Sequence, residues 1–174
     1  MVGTGKKIIK EILLVVVSIA LGFSIATLNW YLRLPTGAER LNENVEIVLQ
    51  SKGYTCGPAS LVMVLEAYGI EASEEEIASL AGTIPGKGTA MYGLKKAAEA
   101  LGLEMVGVRL SMHTLKIVNK PLIAYLGHHN VVVLKIEDDK IQIIDPAFGK
   151  TWMESSKFKN RWQGYALVPV KRTD

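Results

Sequence analysis

The single cysteine of the chain, Cys56, stands between a run of turn residues and an apolar segment with helical spacing. Gly57 and Pro58 follow it, and proline is well tolerated in the first turn of a helix. The thiolate is the reactive form of cysteine, and a helix N-terminus or a neighbouring imidazolium lowers the pKa of a thiol. This position suits a nucleophile, although a lone cysteine can equally be a small buried apolar side chain.

A nucleophilic thiol needs a base, and the chain offers three histidines, His113, His128 and His129. His113 stands alone in "LSMHTL", which is typical of a surface position. The other two directly precede the β-branched run "NVVVLKI", and the residues alone leave open which of them would be the base. A histidine at the start of a strand points into the cleft that the sheet edge borders.

An orienting partner for that histidine is available at Asp145, where the next β-branched run, "KIQIIDPA", ends. The segment Glu137–Lys140 between the two runs is typical of a hairpin turn. In an antiparallel hairpin the start of the first strand lies beside the end of the second. The sequence therefore predicts that His129 and Asp145 lie close enough to share a hydrogen bond, provided that the register holds.

Helices in the first half and strands in the second half must position these groups. Helical spacing and capping signals predict three helices, within Cys56–Tyr68, Ser73–Gly82 and Thr89–Gly102. A strand is predicted at Val45–Gln50, and further short strands follow the helices. Helices first and an antiparallel sheet afterwards make the fold class α+β.

The N-terminal segment Ile12–Leu32 carries no charge and, at about 1.5 Å per residue, is long enough as a helix to span a bilayer core of about 30 Å. Three lysines precede it, and Trp30 and Tyr31 near its end suit a membrane interface. This pattern predicts a single transmembrane helix with the rest of the chain outside the cytoplasm. The membrane is then a partner of the protein through this helix.

Two other interpretations of this segment remain, a secretory signal peptide cleaved near Ser24–Ala26 and a buried core helix. The anchor and the signal peptide both place the domain outside the cytoplasm, tethered in the first case and secreted in the second. The chain is accordingly divided into residues 1–33, an anchor or signal peptide, residues 34–44, a polar linker, and residues 45–174, the folded domain.

Composition excludes several classes of function. The chain has 174 residues, of which 49% are hydrophobic and 21% charged, so it can build one compact domain. A net charge of +3 without a long basic run argues against nucleic-acid binding. One cysteine excludes an internal disulfide and any zinc site with several cysteines.

Four segments of the domain, in order, resemble the C39 cysteine peptidases, which are papain-like proteases that process bacteriocins with double-glycine leaders. The segments are Q-x5-C-G-P-A-S-L, H-N-V-V-V-L, I-I-D-P-A-F-G-K and F-x3-W-x-G-Y-A-L, and the resemblance runs from about Val45 to Val170. It implies a papain-like cysteine peptidase fold, with N-terminal helices packed on a C-terminal antiparallel sheet. In this chain one transmembrane helix is expected to precede that fold.

The resemblance also implies a role for each residue. The nucleophile maps onto Cys56, the general base onto His129, the third member of the triad onto Asp145, and the oxyanion-hole glutamine onto Gln50. The expected activity is hydrolysis of peptide bonds in an exposed peptide or unfolded protein segment, with no metal or organic cofactor. Two rival hypotheses are a catalytically inactive C39-like module that binds peptides, and acyl transfer to an amine or thiol through the same thioester.

Overall fold

The computed structural model describes residues 45–170 of the chain. The predicted anchor at Ile12–Leu32, the alternative signal-peptide cleavage site and the linker at residues 34–44 lie outside the described residues. Over residues 45–170, no helix has the length and apolar character needed to cross a membrane.

Within residues 45–170 the fold consists of three helices, then a mixed second half in which six strands form one sheet. The elements are α1 (Cys56–Ala67), α2 (Glu74–Leu80), α3 (Met91–Ala100), β1 (Met105–Arg109), α4 (Met112–Ile117), β2 (Leu122–Tyr125), β3 (Asn130–Glu137), β4 (Lys140–Asp145), β5 (Gly149–Glu154), α5 (Ser155–Arg161) and β6 (Tyr165–Pro169). The predicted order of helices first and sheet afterwards is confirmed.

The strands form a single antiparallel sheet in the order β1-β6-β2-β3-β4-β5. Consecutive residues of a strand point to opposite faces, so the two faces bury different side chains. Val132 and Ile144 pack with residues of α1 and α3 on one face. Val133 and Ile143 pack with residues of α4 and α5 on the other. The sheet is thus covered by helices on both faces, which explains its long β-branched runs.

Helix α1 is the centre of the first half, since every residue from Cys56 to Leu65 is buried. A helix that is apolar all round is typically enclosed by other elements. A side chain at Gly57 would put its Cβ 3.1 Å from Leu94 of α3 and 3.2 Å from Asn130 of β3. The glycine therefore allows the first turn of α1, with Cys56 at its start, to approach both elements closely.

One expectation about secondary structure is corrected. The predicted strand at Val45–Gln50 is wrong: the segment forms no strand, and its backbone hydrogen bond to the rest of the fold is Gln50 N–H to Pro146 O, at 2.8 Å. Two elements had no counterpart in the prediction. Strand β5 follows the turn after Asp145, and helix α4 is capped by Ser111, which accepts a hydrogen bond from Thr114 N–H.

Gly93 is the position where a small change is expected to disturb this packing most. A Cβ there would lie 2.2 Å from the carbonyl oxygen of Ala81, at the end of α2, which no backbone tolerates. Gly93→Ala is expected to lower the free energy of unfolding by about 3 kcal/mol, because α2 and α3 must separate. Urea unfolding of the variant checks this. Gly53→Ala is the control, since a Cβ there meets nothing within 4 Å; equal midpoints for the two variants would contradict the prediction.

Candidate active site

Cys56 is the first residue of α1 and is only 8% exposed. The residue before it, Thr55, is the N-cap of the helix, yet in the described structure its side chain makes no capping hydrogen bond. Its hydroxyl is instead bonded to the backbone of Lys52, which fixes the loop before the helix. The Thr55 side chain therefore does not occupy the backbone N–H groups of the first turn. These N–H groups favour negative charge at the nearby Cys56 sulfur.

His129 lies in the connection between β2 and β3 and has its Nε2 atom 2.6 Å from Oδ1 of Asp145. The connection is tight: Leu126 N–H donates to the carbonyl oxygen of His129 at 2.7 Å, and Gly127 adopts a φ of +81°. Glycine tolerates that left-handed conformation, which few other residues do. Within this loop His129 is half-buried at the site whereas His128 is exposed. His113, in α4, is exposed as predicted.

Asp145 ends β4 and is buried, with two hydrogen bonds to Oδ1. One comes from His129, and the other from the backbone N–H of Ala147, at 2.9 Å. Strands β3 and β4 pair antiparallel, and Val132 stands opposite Ile144. This register brings the beginning of β3 and the end of β4 to the same edge of the sheet. Because Asp145 occupies Nε2 of the ring, Nδ1 is the nitrogen that remains for the thiol.

The thiol and the imidazole change each other's pKa. Burial raises the pKa of the Cys56 thiol, but hydrogen bonds from the His129 side chain and the Asn130 backbone, together with the charge of His129, bring it below its usual value. The hydrogen bond to Cys56 raises the pKa of His129; burial opposes this, and the hydrogen bond and charge of Asp145 reinforce it. The two shifts favour a thiolate beside an imidazolium.

Asn130 contacts the sulfur as well, and the sequence reasoning did not identify it as a site residue. Its Nδ2 atom donates a hydrogen bond to Sγ of Cys56 at 3.8 Å, and its backbone N–H helps to lower the pKa of that thiol. The side chain is buried, and its Oδ1 atom has no hydrogen-bond partner in the described part of the chain. The one available signal was its position directly after His129 at the start of a strand.

Gln50 lies beside the same edge, because its backbone N–H is bonded to Pro146, the residue after Asp145. Its side-chain Nε2 donates a hydrogen bond to the carbonyl oxygen of Lys52 at 2.8 Å. The amide nitrogen carries a second hydrogen, which this contact does not use. Its Oε1 atom is buried and unpartnered among residues 45–170.

An apolar groove of about 380 Å³ lies over strands β1, β2 and β6. Tyr125 forms part of its wall and is paired with Asn130, the residue that contacts the Cys56 sulfur, in the β2–β3 register. The start of α3 contributes Met91 to the wall. Arg109 lies at the groove with its guanidinium carbon 5.6 Å from the centre of the Tyr165 ring. The groove can therefore receive apolar side chains of an extended ligand.

Comparison with known proteins decides the family. Residues 44–174 match the model of the Peptidase C39 family, which covers all but the N-terminal quarter of the chain. The chain belongs to the C39 peptidase family. The resemblance found from the four sequence segments is thereby confirmed.

Individual relatives of this C39 domain include both short and long proteins. An uncharacterized protein of Methanothermobacter marburgensis is 40% identical over 132 residues, which cover 74% of this chain and 90% of that protein. The lactococcin-G-processing and transport ATP-binding protein LagD of Lactococcus lactis subsp. lactis is 34% identical over 136 residues, which cover 74% of this chain but only 19% of LagD. The chain thus matches about a fifth of the transporter's length.

Solved structures extend the similarity to the fold. A double-glycine-motif protease from an AMS/PCAT transporter, crystallised with a leader peptide, superposes with a TM-score of 0.71 at 28% identity. The superposition covers 76% of this chain and 96% of that one. The predicted papain-like C39 fold, with its helices and antiparallel sheet, is confirmed.

Proposed function

We propose that this C39 domain is a cysteine peptidase in which Cys56 is the nucleophile, His129 the general acid and base, and Asp145 the group that orients His129. The observations that carry the proposal are the 2.6 Å contact between the Asp145 carboxylate and the His129 imidazole, and the interaction of that imidazole with the Cys56 thiol, which lowers the pKa of the thiol. An inactive binding module has no need of a thiol whose pKa is lowered against the effect of its own burial.

In the proposed reaction the Cys56 thiolate attacks the carbonyl carbon of the substrate, and a C–S bond forms as the carbonyl π bond opens to an oxyanion. The Cys56 backbone N–H and the second amide hydrogen of Gln50 stabilise that oxyanion, and one such donor contributes about 3 kcal/mol. His129 then protonates the departing amine as the C–N bond breaks. A water molecule, deprotonated by His129, hydrolyses the thioester and releases the free thiol.

The substrate is proposed to be an extended peptide or an unfolded protein segment. The apolar groove over β1, β2 and β6 supports this, since its wall residue Tyr125 is paired with Asn130, whose side chain contacts the Cys56 sulfur. A double-glycine protease related to this chain binds a leader peptide, so peptides with paired glycines are the first class to test here.

The predicted anchor at Ile12–Leu32 remains part of the proposal, with the catalytic domain tethered outside the cytoplasm or secreted. A membrane-impermeant protease applied to intact cells tests this. It should degrade the domain before the cells are lysed, and full protection would place the domain on the other side.

The experiment that tests the proposed activity compares protein termini generated by the wild-type chain and by Cys56→Ala in the same cell extract. New termini that appear with the wild type and not with the variant are expected. Mass spectrometry distinguishes hydrolysis, which leaves a free carboxylate, from acyl transfer, which leaves an amide or thioester. Identical terminus lists from both chains would contradict the peptidase assignment and leave peptide binding.

A further inference from the structure

Phe148 is the most exposed of the large apolar side chains in residues 45–170, at 88%. It lies in the turn between β4 and β5, and this turn is well fixed. Phe148 N–H donates to the backbone carbonyl of Asp145 at 3.0 Å, and Ala147 N–H donates to the Asp145 carboxylate. The turn that holds the carboxylate against His129 therefore also holds an aromatic ring in solvent. A phenylalanine left in water gains nothing from the hydrophobic effect, so this exposed ring is a candidate contact for a bound ligand.

Leu49 is a second exposed apolar side chain, in a segment that a backbone hydrogen bond joins to this turn. It is 58% exposed and directly precedes Gln50, whose backbone N–H is bonded to Pro146 O. Leu49 and Phe148 thus flank the hydrogen bond that joins the proposed oxyanion donor to the turn of Asp145. We call these two side chains the Phe148 shelf.

The geometry of the proposed reaction indicates which part of a substrate reaches the shelf. In the tetrahedral intermediate, sulfur faces Cys56, the oxyanion faces Gln50, and the departing nitrogen faces His129. Gln50 and the His129–Asp145 pair are joined through Pro146, so the proposed oxyanion donor and the proposed acid meet at one junction of the fold. The chain that continues from the nitrogen passes over that junction. The acyl chain leaves in the remaining direction, away from it.

We infer that the Phe148 shelf binds an apolar side chain in the segment of the substrate that departs as the amine. The inference rests on the proposed peptidase function and adds a specificity site to it. The shelf is separate from the apolar groove near Tyr125, which lies on the β1–β6–β2 side of the site and suits the acyl segment. Recognition of a peptide would then extend over both sides of the scissile bond.

Three substrates that share one acyl sequence distinguish effects on the acyl side of the scissile bond from effects on the amine side. The acyl sequence is taken from a site that the wild type cleaves and Cys56→Ala does not. It is joined to aminomethylcoumarin, which has no amine-side residues, or is continued by a leucine-rich or a serine-rich segment. Phe148→Ala is expected to lower kcat/KM about tenfold for the leucine-rich substrate, chiefly through KM, and to change the other two less than about twofold. Phe148→Leu should restore most of the loss.

The matched control is Trp152→Ala, an exposed aromatic on β5 whose ring lies against Lys135 and not at the junction. It should leave all three substrates unaffected. An equal loss on all three with Phe148→Ala would overturn the inference, because the ring would then act on the catalytic groups. If Phe148→Ala caused no loss on any substrate, the inference would also be overturned. A change in self-association alone, measured by light scattering, would overturn it as well, because the shelf would then bind a second copy of the chain. In each case turnover of the coumarin amide shows that the peptidase function stands.

Discussion

His129→Ala is expected to lower kcat/KM by about a thousandfold, because the variant loses both the base that deprotonates Cys56 and the acid that protonates the departing amine. No other imidazole can replace it at the sulfur. His113 lies in α4, and His128, although adjacent in sequence, is exposed. His128→Ala is therefore the matched control, and it should retain nearly full activity.

The same variant is expected to change how alkylation of Cys56 by iodoacetamide depends on pH. In the wild type the pKa of this thiol is below its usual value, so the reactive thiolate forms at a lower pH than in an ordinary cysteine. Removing His129 abolishes a hydrogen bond and a charge that lower the pKa, whereas burial, which raises it, remains. The alkylation curve of the variant should therefore shift to higher pH than that of the wild type.

Two results would contradict this assignment. If His128→Ala reproduced the loss of turnover and the shifted alkylation curve, the base would be His128. If the His129→Ala curve matched that of the wild type, the imidazole would not interact with the thiol. Circular dichroism of each variant shows that the fold is retained, because both residues lie in a loop whose backbone bonds do not involve their side chains.

The contact between His129 and Asp145 could be anticipated because it depends on local topology. The two strands are consecutive and joined by a short turn, so the ends of the hairpin must lie together. The choice between His128 and His129 depends on finer detail, namely the tight connection closed by the Leu126–His129 backbone hydrogen bond. A shift of one residue would exchange the two side chains, and sequence patterns do not resolve such shifts.

The features that sequence missed depend on contacts between distant segments. Asn130 reaches the sulfur of Cys56 across a separation of 74 residues, through the packing of α1 on β3. Val45–Gln50 has the alternation of a strand but lacks a neighbouring strand to pair with, and alternation alone does not create one. Strand β5 has few β-branched residues and forms because β4 provides a template along its whole length.

Asp145→Ala is expected to lower kcat/KM by about a hundredfold or more, because it removes the acceptor for Nε2 of His129 and for the backbone N–H of Ala147. The ring is then free to rotate, and the turn that carries Phe148 loses one of its two fixing bonds. Asp145→Asn keeps an oxygen acceptor of the same shape and removes only the charge. Its loss should be smaller, about tenfold, because the imidazole keeps its hydrogen-bond acceptor and loses only the nearby charge.

The two variants separate orientation of the imidazole from stabilisation of its charge. In the proposed mechanism, deprotonation of the thiol sets the acid limb of the activity profile, and deprotonation of the imidazole sets the alkaline limb. Asp145 raises the pKa of His129, so Asp145→Asn should move the alkaline limb to lower pH and leave the acid limb nearly in place. Asp139→Asn, in the exposed turn between β3 and β4, is the control and should move neither limb. An unmoved alkaline limb in Asp145→Asn would mean that the carboxylate orients the ring through its hydrogen bond and contributes no charge to the ion pair.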